Sequence, residues 1–175
     1  GGPRMVDVLC DAMRDAVDVS VAVAFVHMSG LQLLLTALKA VPGARVRVLT
    51  STYLDVTEPQ ALCSLRATLG ENLRVQHGPR GFHAKCHLLV LRGDRRVGWI
   101  GSSNWTLSGL RDNIEWNTRV DDPAAFQAAQ AEFESLWSRD DVRAIDDAFI
   151  DAYAAQRELH TRTIVGDGPR PHLAE

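Results

Sequence analysis

A histidine, a lysine, an amide and a carboxylate lie close together in the middle of this 175-residue chain. They are His83 and Lys85, separated by one residue, followed by Asn104 and Glu115. Imidazole can act as a nucleophile or a general acid, while ammonium and amide groups can donate hydrogen bonds to phosphoryl oxygens. These four residues have the chemistry needed to hold a phosphodiester and attack its phosphorus without a metal ion. We therefore predict that they are catalytic.

The spacing predicts that three consecutive strands position these residues. Side chains on a strand alternate between its faces, so His83 and Lys85 would share one polar face. The glycine-containing turn at residues 92–95 predicts a hairpin that returns residues 101–104 to the neighbourhood of His83. A third strand would carry Glu115. We expect the polar faces of the three strands to converge.

The turn after the second strand supplies candidate substrate-binding groups. Ser102 and Ser103 offer hydroxyl groups beside Asn104, and Gly101 would let the backbone approach a ligand closely. Trp105 follows directly, and we expect its ring to line the cleft, where it could stack on a base. Ser102, Ser103 and Trp105 are therefore predicted to bind substrate.

Charge is distributed unevenly along the chain, although the formal net charge is only -3. Residues 70–120 hold eight Lys/Arg and four Asp/Glu, whereas residues 121–160 hold three and ten. Local positive potential attracts a polyanion whatever the total charge. Arg80, just before His83, is predicted to bind substrate, and other arginines could contact the same backbone: Arg74, Arg92, Arg95, Arg96 and Arg111.

A zinc site is the main alternative use of this segment, through His83, Cys86 and His87. Alternation places Cys86 on the face away from both histidines, and no second Cys/His cluster completes a tetrahedral set. We predict no metal and no cofactor. For His87 a packing or surface role is expected ahead of a supporting role beside His83. The three cysteines form no even disulfide framework, and no leader or membrane-length apolar run occurs, so a cytoplasmic location is expected.

Periodicity predicts an α/β fold in which a mixed sheet is sandwiched between helices. Helices are expected at residues 5–16, 29–40, 58–69, 123–138 and 142–160, and strands at residues 19–26, 45–50 and 73–76 before the three site strands. Trp99 and Trp116, embedded in strands, are predicted to be core residues. We expect one domain over residues 1–165, and a tail or linker over residues 166–175.

These residues resemble the signature of the phospholipase D superfamily, in which a His-x-Lys pair is followed by a Gly-Ser-x-Asn turn. The matching positions are His83, Lys85, Gly101, Ser102 and Asn104. The usual aspartate, five residues after the lysine, is Val90 here. In the nuclease-like branch, which includes metal-independent restriction enzymes and helicase-associated domains, a glutamate follows the Asn turn, and Glu115 matches it. The resemblance covers roughly residues 5 to 140.

The resemblance implies a reaction that needs two histidines. One attacks phosphorus to give a phosphohistidine, and the second protonates the leaving oxygen. The chain has a single His-x-Lys, so it would carry one half-site, and we expect a two-fold homodimer in which both copies of His83 face one phosphate. Glu115 is expected to hydrogen-bond an imidazole nitrogen.

The resemblance also implies a substrate and partners. DNA is the first expectation, RNA is possible, and a helicase or restriction module of a defence system would be fused or associated. No membrane contact is expected, because nothing amphipathic and basic suggests docking. Three alternatives remain open: a non-catalytic nucleic-acid-binding module, a phospholipase D-type lipid hydrolase, and one subunit of a hetero-oligomer.

Overall fold

The computed structural model describes residues 3–41, 43–78 and 81–166, which form a mixed sheet with helices on both faces. Within these residues the strands are β1 Ala16–Val23, β2 Arg45–Ser51, β3 Leu73–Gln76, β4 Lys85–Leu91, β5 Arg95–Gly101, β6 Asn117–Val120 and β7 Val142–Ala144. The α-helices are α1 Met5–Met13, α2 Met28–Ala40, α3 Pro59–Leu69, α4 Pro123–Trp137 and α5 Asp147–Gly166. The predicted α/β class is confirmed.

The strand order across the sheet is β6-β5-β4-β1-β2-β3-β7. β1, β2 and β3 are parallel and are joined through α2 and α3, which pack on the same face, as right-handed crossovers require. β4 is antiparallel to β1, so it begins where β1 ends, with Lys85 opposite Val23. The ends of three parallel strands therefore meet the start of β4 at one edge, where open α/β sheets commonly bind ligands.

Two hydrophobic clusters hold the layers together. The larger lies between the sheet and α1, α2, α3 and α5, and the smaller lies between the sheet and α4. α4 begins as its sequence predicts, because the Asp122 carboxylate accepts the N–H of Ala125 at 2.8 Å and Pro123 occupies the first turn. Phe126 and Phe133 of α4 are buried against the sheet.

The C-terminal region differs from the single helix predicted over residues 142–160. Residues 142–144 form β7, which pairs antiparallel with β3 and covers its edge. α5 follows, and the Asp146 carboxylate accepts the N–H of Phe149 at 2.8 Å in its first turn. A strand of three residues is too short to show an alternating pattern. Pairing with β3, and not local sequence, therefore determines this strand.

Two of the predicted site strands are shorter than expected. β4 begins at Lys85 and β6 at Asn117, so His83 and Glu115 lie in the connections that precede these strands. Both side chains therefore extend from loops at the sheet edge, where strand alternation does not fix their direction. Arg80 and residues 167–175, which make up most of the predicted tail, lie outside the described residues.

Candidate active site

Backbone hydrogen bonds join three loops at the edge where β1 ends and β4 begins. The N–H of Ala24 donates to the carbonyl of Ala84 at 2.9 Å, which extends the pairing of β1 with β4 to the residue after His83. The N–H of Trp105 donates to the carbonyl of Phe25 at 3.1 Å. The loop that carries His83 and the turn that carries the predicted amide are thus both fixed to the end of β1.

Phe25 is the residue that the predicted catalytic groups share. Its N–H donates to Oδ1 of Asn104 at 3.1 Å. Its ring meets the imidazole of His83 edge-on, with centroids 5.7 Å apart, and lies 5.8 Å from Nζ of Lys85. Because the Asn104 oxygen is committed to Phe25, the NH2 group of that amide is left to donate to a ligand. The structure therefore brings His83, Lys85 and Asn104 together.

Lys85 is a buried ammonium group with few partners. Its side chain is only 5% exposed, and Nζ lies 2.8 Å from Nδ1 of His83 and donates to the His83 carbonyl at 2.9 Å. Burial lowers the pKa of Lys85, and the negative charge of Glu115 opposes this effect. A desolvated cation interacts more strongly with an anion than an exposed one does, because water screens it less. Lys85 is therefore suited to hold a phosphoryl group.

His83 is exposed, in contrast to the lysine beside it. An ammonium group at Lys85 can only donate, so Nδ1 of His83 acts as the acceptor, and a neutral ring then carries its proton on Nε2. No hydrogen bond or ion pair joins His83 to Glu115 within the part of the chain that the structure describes. The imidazole thus reaches solvent in the tautomer that can give a proton from Nε2.

Glu115 is tied to the turn that follows β5. Its carboxylate accepts a short hydrogen bond from the Ser102 hydroxyl, which in turn accepts the N–H of Trp116 at 3.0 Å. The N–H of Ser102 also donates to the Trp116 carbonyl at 3.0 Å. Ser102 therefore fixes the loop before β6, and the second carboxylate oxygen of Glu115 has no donor among the described residues.

Ser103 has a different environment from the one predicted. It is fully buried, and its hydroxyl accepts a hydrogen bond from Nδ2 of Asn117 at 2.8 Å. The prediction that Ser103 binds substrate through its side chain is therefore wrong. Gly101 also serves the fold, because a Cβ there would lie 2.0 Å from the Trp116 carbonyl oxygen. It allows β5 and the loop before β6 to approach each other. The predicted role, close approach of the backbone to a ligand, is not the one that this contact supports.

The burial of the two tryptophans near the site is the reverse of the prediction. Trp105 is fully buried, and its indole N–H donates to Nε2 of His87 at 2.9 Å. It cannot stack on a substrate, so the prediction that it lines the cleft is wrong. Trp116, predicted to be core, is 84% exposed. Trp99, at 9% exposure, is a core residue as predicted.

His87 connects β4 to the turn that carries the amide. It is 1% exposed, and burial lowers its pKa to about 4, an effect that the Trp99 backbone only partly offsets. A neutral ring can accept the Trp105 indole hydrogen, whereas a protonated ring cannot. The packing role expected for His87 is confirmed, and its consequence is to hold Trp105 and the neighbouring Asn104 in place.

Most of the predicted basic residues lie away from the site. Arg92, Arg95 and Arg96 surround the β4–β5 turn, at the far end of strands that start or finish at the site. A strand of β4's length spans about 20 Å. Arg74 donates to the Trp137 carbonyl at 2.7 Å and stacks on its ring, and Arg111 pairs with the adjacent aspartate. These arginines do not form a continuous basic surface at the site.

The sequence pattern does not identify Phe25 as a site residue. Its position at the carboxyl end of a buried parallel strand is the signal that could have identified it, because such ends meet at one edge of a sheet. Among the described residues no group of three or more His, Cys, Asp or Glu could hold a metal ion. The same part of the chain contains no helix that is long and apolar enough to cross a membrane.

Comparisons with known proteins give the family and the fold. A family model described as "Cardiolipin synthase, PLD-like domain" matches residues 6–137. No curated protein sequence matches the chain. NucT from Helicobacter pylori superposes with a TM-score of 0.59 at 17% identity, over 81% of this chain and 91% of NucT. Nuc from Salmonella typhimurium, a phospholipase D family member, gives 0.58 at 16% identity, over 81% and 90%.

A longer protein shares the same fold over part of its length. The polyphosphate kinase of Porphyromonas gingivalis superposes with a TM-score of 0.56 at 14% identity, over 88% of this chain and only 27% of the kinase. At such identities the solved structures show a common fold and nothing more. The match to the family model carries the assignment of the family.

Proposed function

Because the chain belongs to the phospholipase D superfamily, we propose that it is a metal-independent phosphodiesterase that cleaves nucleic acid, DNA in the first instance. The observation that carries the proposal is the cluster of His83, Lys85 and Asn104 around Phe25. It combines an exposed imidazole with a desolvated ammonium group and an oriented amide. These groups supply a nucleophile or acid and two donors for phosphoryl oxygens.

The proposed reaction uses two copies of His83, one from each subunit of a homodimer. Nε2 of the first imidazole bonds to phosphorus while the bond from phosphorus to the leaving oxygen breaks, and the second imidazole gives its proton to that oxygen. Water then attacks the phosphohistidine and returns a proton to the second imidazole, which releases a phosphomonoester. Lys85 and Asn104 donate hydrogen bonds to the phosphoryl oxygens throughout.

A homodimer is proposed because, within the part of the chain that the structure describes, His83 is the one imidazole placed beside Lys85 and Asn104. His87, the nearest histidine in sequence, is buried against Trp105, and the sequence holds no second His-x-Lys. Exposed apolar side chains lie at the β5–β6 side of the site: Ile114 is 94% exposed, Trp116 84% and Ile100 41%. A second copy of the chain would remove this cluster from water.

Glu115 has a role in the dimer that it does not have within one chain. Its carboxylate is held by Ser102, and no contact joins it to His83 of the same chain in the described residues. We propose that it accepts the Nδ1 proton of His83 in the second subunit. This bond would leave Nε2 of that ring unprotonated and able to attack phosphorus.

Two of the matched structures, NucT and Nuc, are nucleases, which supports nucleic acid ahead of lipid. NucT and Nuc are covered over 91% and 90% of their length by this single domain. The phosphatidylserine synthase of Haemophilus influenzae, with a TM-score of 0.53 at 15% identity, is covered over only 42% while 91% of this chain is aligned.

The proposal is tested with labelled single- and double-stranded DNA and RNA in the presence of EDTA. We expect cleavage in EDTA and an acid-labile covalent adduct in quenched samples. His83→Ala should abolish both while preserving binding, because binding needs Lys85 and Asn104 but not the imidazole of His83. Lys39 is the one other lysine and is exposed on α2, so Lys39→Met is the matched control for Lys85→Met. Activity that disappears in EDTA and returns with a divalent cation would refute the mechanism.

The dimer is tested by mass in solution together with activity. Replacing Ile114 and Trp116 by serine should give a monomer that cannot cleave DNA. A wild-type protein that is fully active as a strict monomer would show that the two-imidazole arrangement is wrong. If binding occurs but no nucleic acid is cleaved under any condition, the domain is a non-catalytic binding module.

A further inference from the structure

A second cleft lies at the same edge of the sheet, beside the proposed active site. It has a volume of about 700 Å3 and is formed by the loop after β2, the end of β3 and α5. Tyr53 lines the cleft and also lies against the loop that carries His83, because a Cβ at Gly81 would lie 3.3 Å from Cζ of Tyr53. The parallel order β1, β2, β3 explains this arrangement, since the ends of these strands adjoin one another.

The loop at the entrance of the cleft is held in an unusual backbone conformation. Leu54 and Asp55 both have positive φ, at 58° and 54°, which is unfavourable for residues with a side chain. Residues of α5 fix the loop: Nε of Arg157 donates to the Asp55 carbonyl at 2.8 Å, and His160 makes a short contact with the Asp55 carboxylate. Such strain is common where a loop is shaped for a ligand.

The charges in the cleft favour an anionic ligand. The Asp55 carboxylate is already satisfied by His160 and by Nε2 of Gln156 at 3.2 Å. The terminal nitrogens of Arg157 have no partner among the residues that the structure describes, although this side chain is half-buried. A partly desolvated guanidinium group with free donors is well suited to a phosphate.

Ring systems form the remainder of the lining. The phenol of Tyr53 and the imidazoles of His77 and His160 all border the cleft. His77 is fixed by the Thr52 hydroxyl, 2.8 Å from its Nδ1, and by edge-on packing against Phe149. Fixed rings beside a cation form the combination that binds a base together with its phosphate.

We propose that this cleft binds a nucleotide of the cleaved strand that neighbours the scissile phosphodiester, as a single-stranded segment. The inference rests on the proposed function and adds the form of the substrate. The apolar cluster assigned to the dimer lies on the β5–β6 side, whereas the cleft lies on the β2–β3 side. The cleft therefore stays open when the second subunit is present, and each subunit offers one to the strand.

Charge substitutions on α5 test the cleft without removing any of its supports. Thr161 lines the cleft one helical turn after Arg157, so Thr161→Glu places a carboxylate within reach of that guanidinium. Ala155→Glu is the matched control, because this residue is exposed on the same helix and does not line the cleft. Both variants are made in the His83→Ala background, and the dissociation constant for a labelled single-stranded oligodeoxynucleotide is measured by fluorescence anisotropy.

We expect Thr161→Glu to weaken binding about tenfold, whereas Ala155→Glu should change it by less than about twofold. Thr161→Lys should tighten binding relative to Ala155→Lys, a result that a folding defect cannot produce. Equal dissociation constants for the Glu pair and for the Lys pair would overturn the inference. A strand without bases at its centre should bind more weakly than an intact strand; equal binding would show that the cleft holds no base.

Hydrolysis of bis(p-nitrophenyl) phosphate separates this inference from the proposed function. This ester is too small to reach the cleft, so its hydrolysis by the wild-type protein reports on the His83 site alone. If the ester is hydrolysed while the Thr161 and Ala155 variants bind DNA equally, the cleft is wrong and the phosphodiesterase stands. If nothing is hydrolysed but Thr161→Glu weakens binding, the cleft stands and the catalytic proposal fails.

Discussion

Asn104→Asp separates the structural role of one side chain from its proposed catalytic role. Oδ1 of Asn104 accepts the N–H of Phe25 at 3.1 Å, and an aspartate offers an oxygen in the same position. The contact that fixes the turn is therefore kept. The NH2 group that we assign to a phosphoryl oxygen is replaced by a charged oxygen. We expect a variant that folds like the wild type and is almost inactive.

The magnitude follows from two effects. Loss of a hydrogen bond to a charged group costs about 1.5–3 kcal/mol. Two negative charges about 4 Å apart repel by about 4 kcal/mol at an effective dielectric constant of about 20. Together they raise the barrier by about 6 kcal/mol, and since about 1.4 kcal/mol is a factor of ten, kcat/KM should fall by about 10⁴. Asn104→Ala has only the first effect, so its kcat/KM should fall about 10- to 100-fold.

The two variants should rank in opposite order for activity and for stability. Asn104→Ala leaves the Phe25 N–H without its acceptor, so its Tm should be lower than that of Asn104→Asp. The assays are kcat/KM for bis(p-nitrophenyl) phosphate in EDTA and thermal denaturation, with Asn72→Asp as the control for an added charge at an exposed asparagine. If Asn104→Asp stays within tenfold of wild type, the amide does not face the phosphodiester. If it is the less stable variant, the Phe25 contact is misassigned.

Three further perturbations test the surroundings of the site. Glu115 raises the pKa that burial lowers at Lys85, so Glu115→Gln should move the alkaline limb of the pH–rate profile to lower pH; an unchanged limb would contradict this. Burial lowers the pKa of His87 to about 4 from an ordinary 6.5. The free energy of unfolding should therefore be constant above pH 6.5 and fall by about 3 kcal/mol as the pH is lowered towards 4. Urea unfolding should show that His87→Gln removes this pH dependence. A Cβ at Gly30 would lie 2.4 Å from the Trp105 carbonyl oxygen, so Gly30→Ala should lower the free energy of unfolding by about 2 kcal/mol.

The sequence predicts the parts of this fold that rest on local pattern. Each of the four helices before α5, and each strand from β1 to β5, overlaps its predicted segment, because each buries a periodic face of its own. β7 was missed, since pairing with β3 creates it. The same distinction holds in the site. Spacing and a hairpin in the sequence predict that His83, Lys85 and Asn104 lie together. Phe25 joins this cluster only because β1 pairs with β4, which local sequence does not indicate.

The tryptophans show that an alternating strand pattern does not predict which face of a strand is buried. Alternation predicts which residues share a face, but it does not say whether a helix covers that face. α4 packs through Phe126 and Phe133 on the smaller cluster and leaves Trp116 exposed at the sheet edge. Trp105 follows a glycine-containing turn, a sequence that is typical of an exposed loop. In the structure, α2 approaches the Trp105 backbone at Gly30, and Nε2 of His87 accepts the indole N–H. Burial here depends on the packing of distant elements.

The contact between Lys85 and His83 gives a physical reason why the proposed reaction would need two chains. An ammonium group on Nδ1 keeps the imidazole proton on Nε2, so the ring of an isolated chain can act as an acid but not as a nucleophile. The nucleophile needs the opposite tautomer, and hence a carboxylate at Nδ1. The chain holds such a carboxylate, Glu115, on Ser102, and no hydrogen bond or ion pair joins it to the imidazole of the same chain within the described residues. In a two-fold dimer both rings have the same neighbours, so the side of the phosphate on which the leaving group lies decides which ring is the acid. On the other side, the Lys85 ammonium group would turn from Nδ1 to a phosphoryl oxygen, and the ring would then donate its Nδ1 proton to the partner's carboxylate and act as the nucleophile.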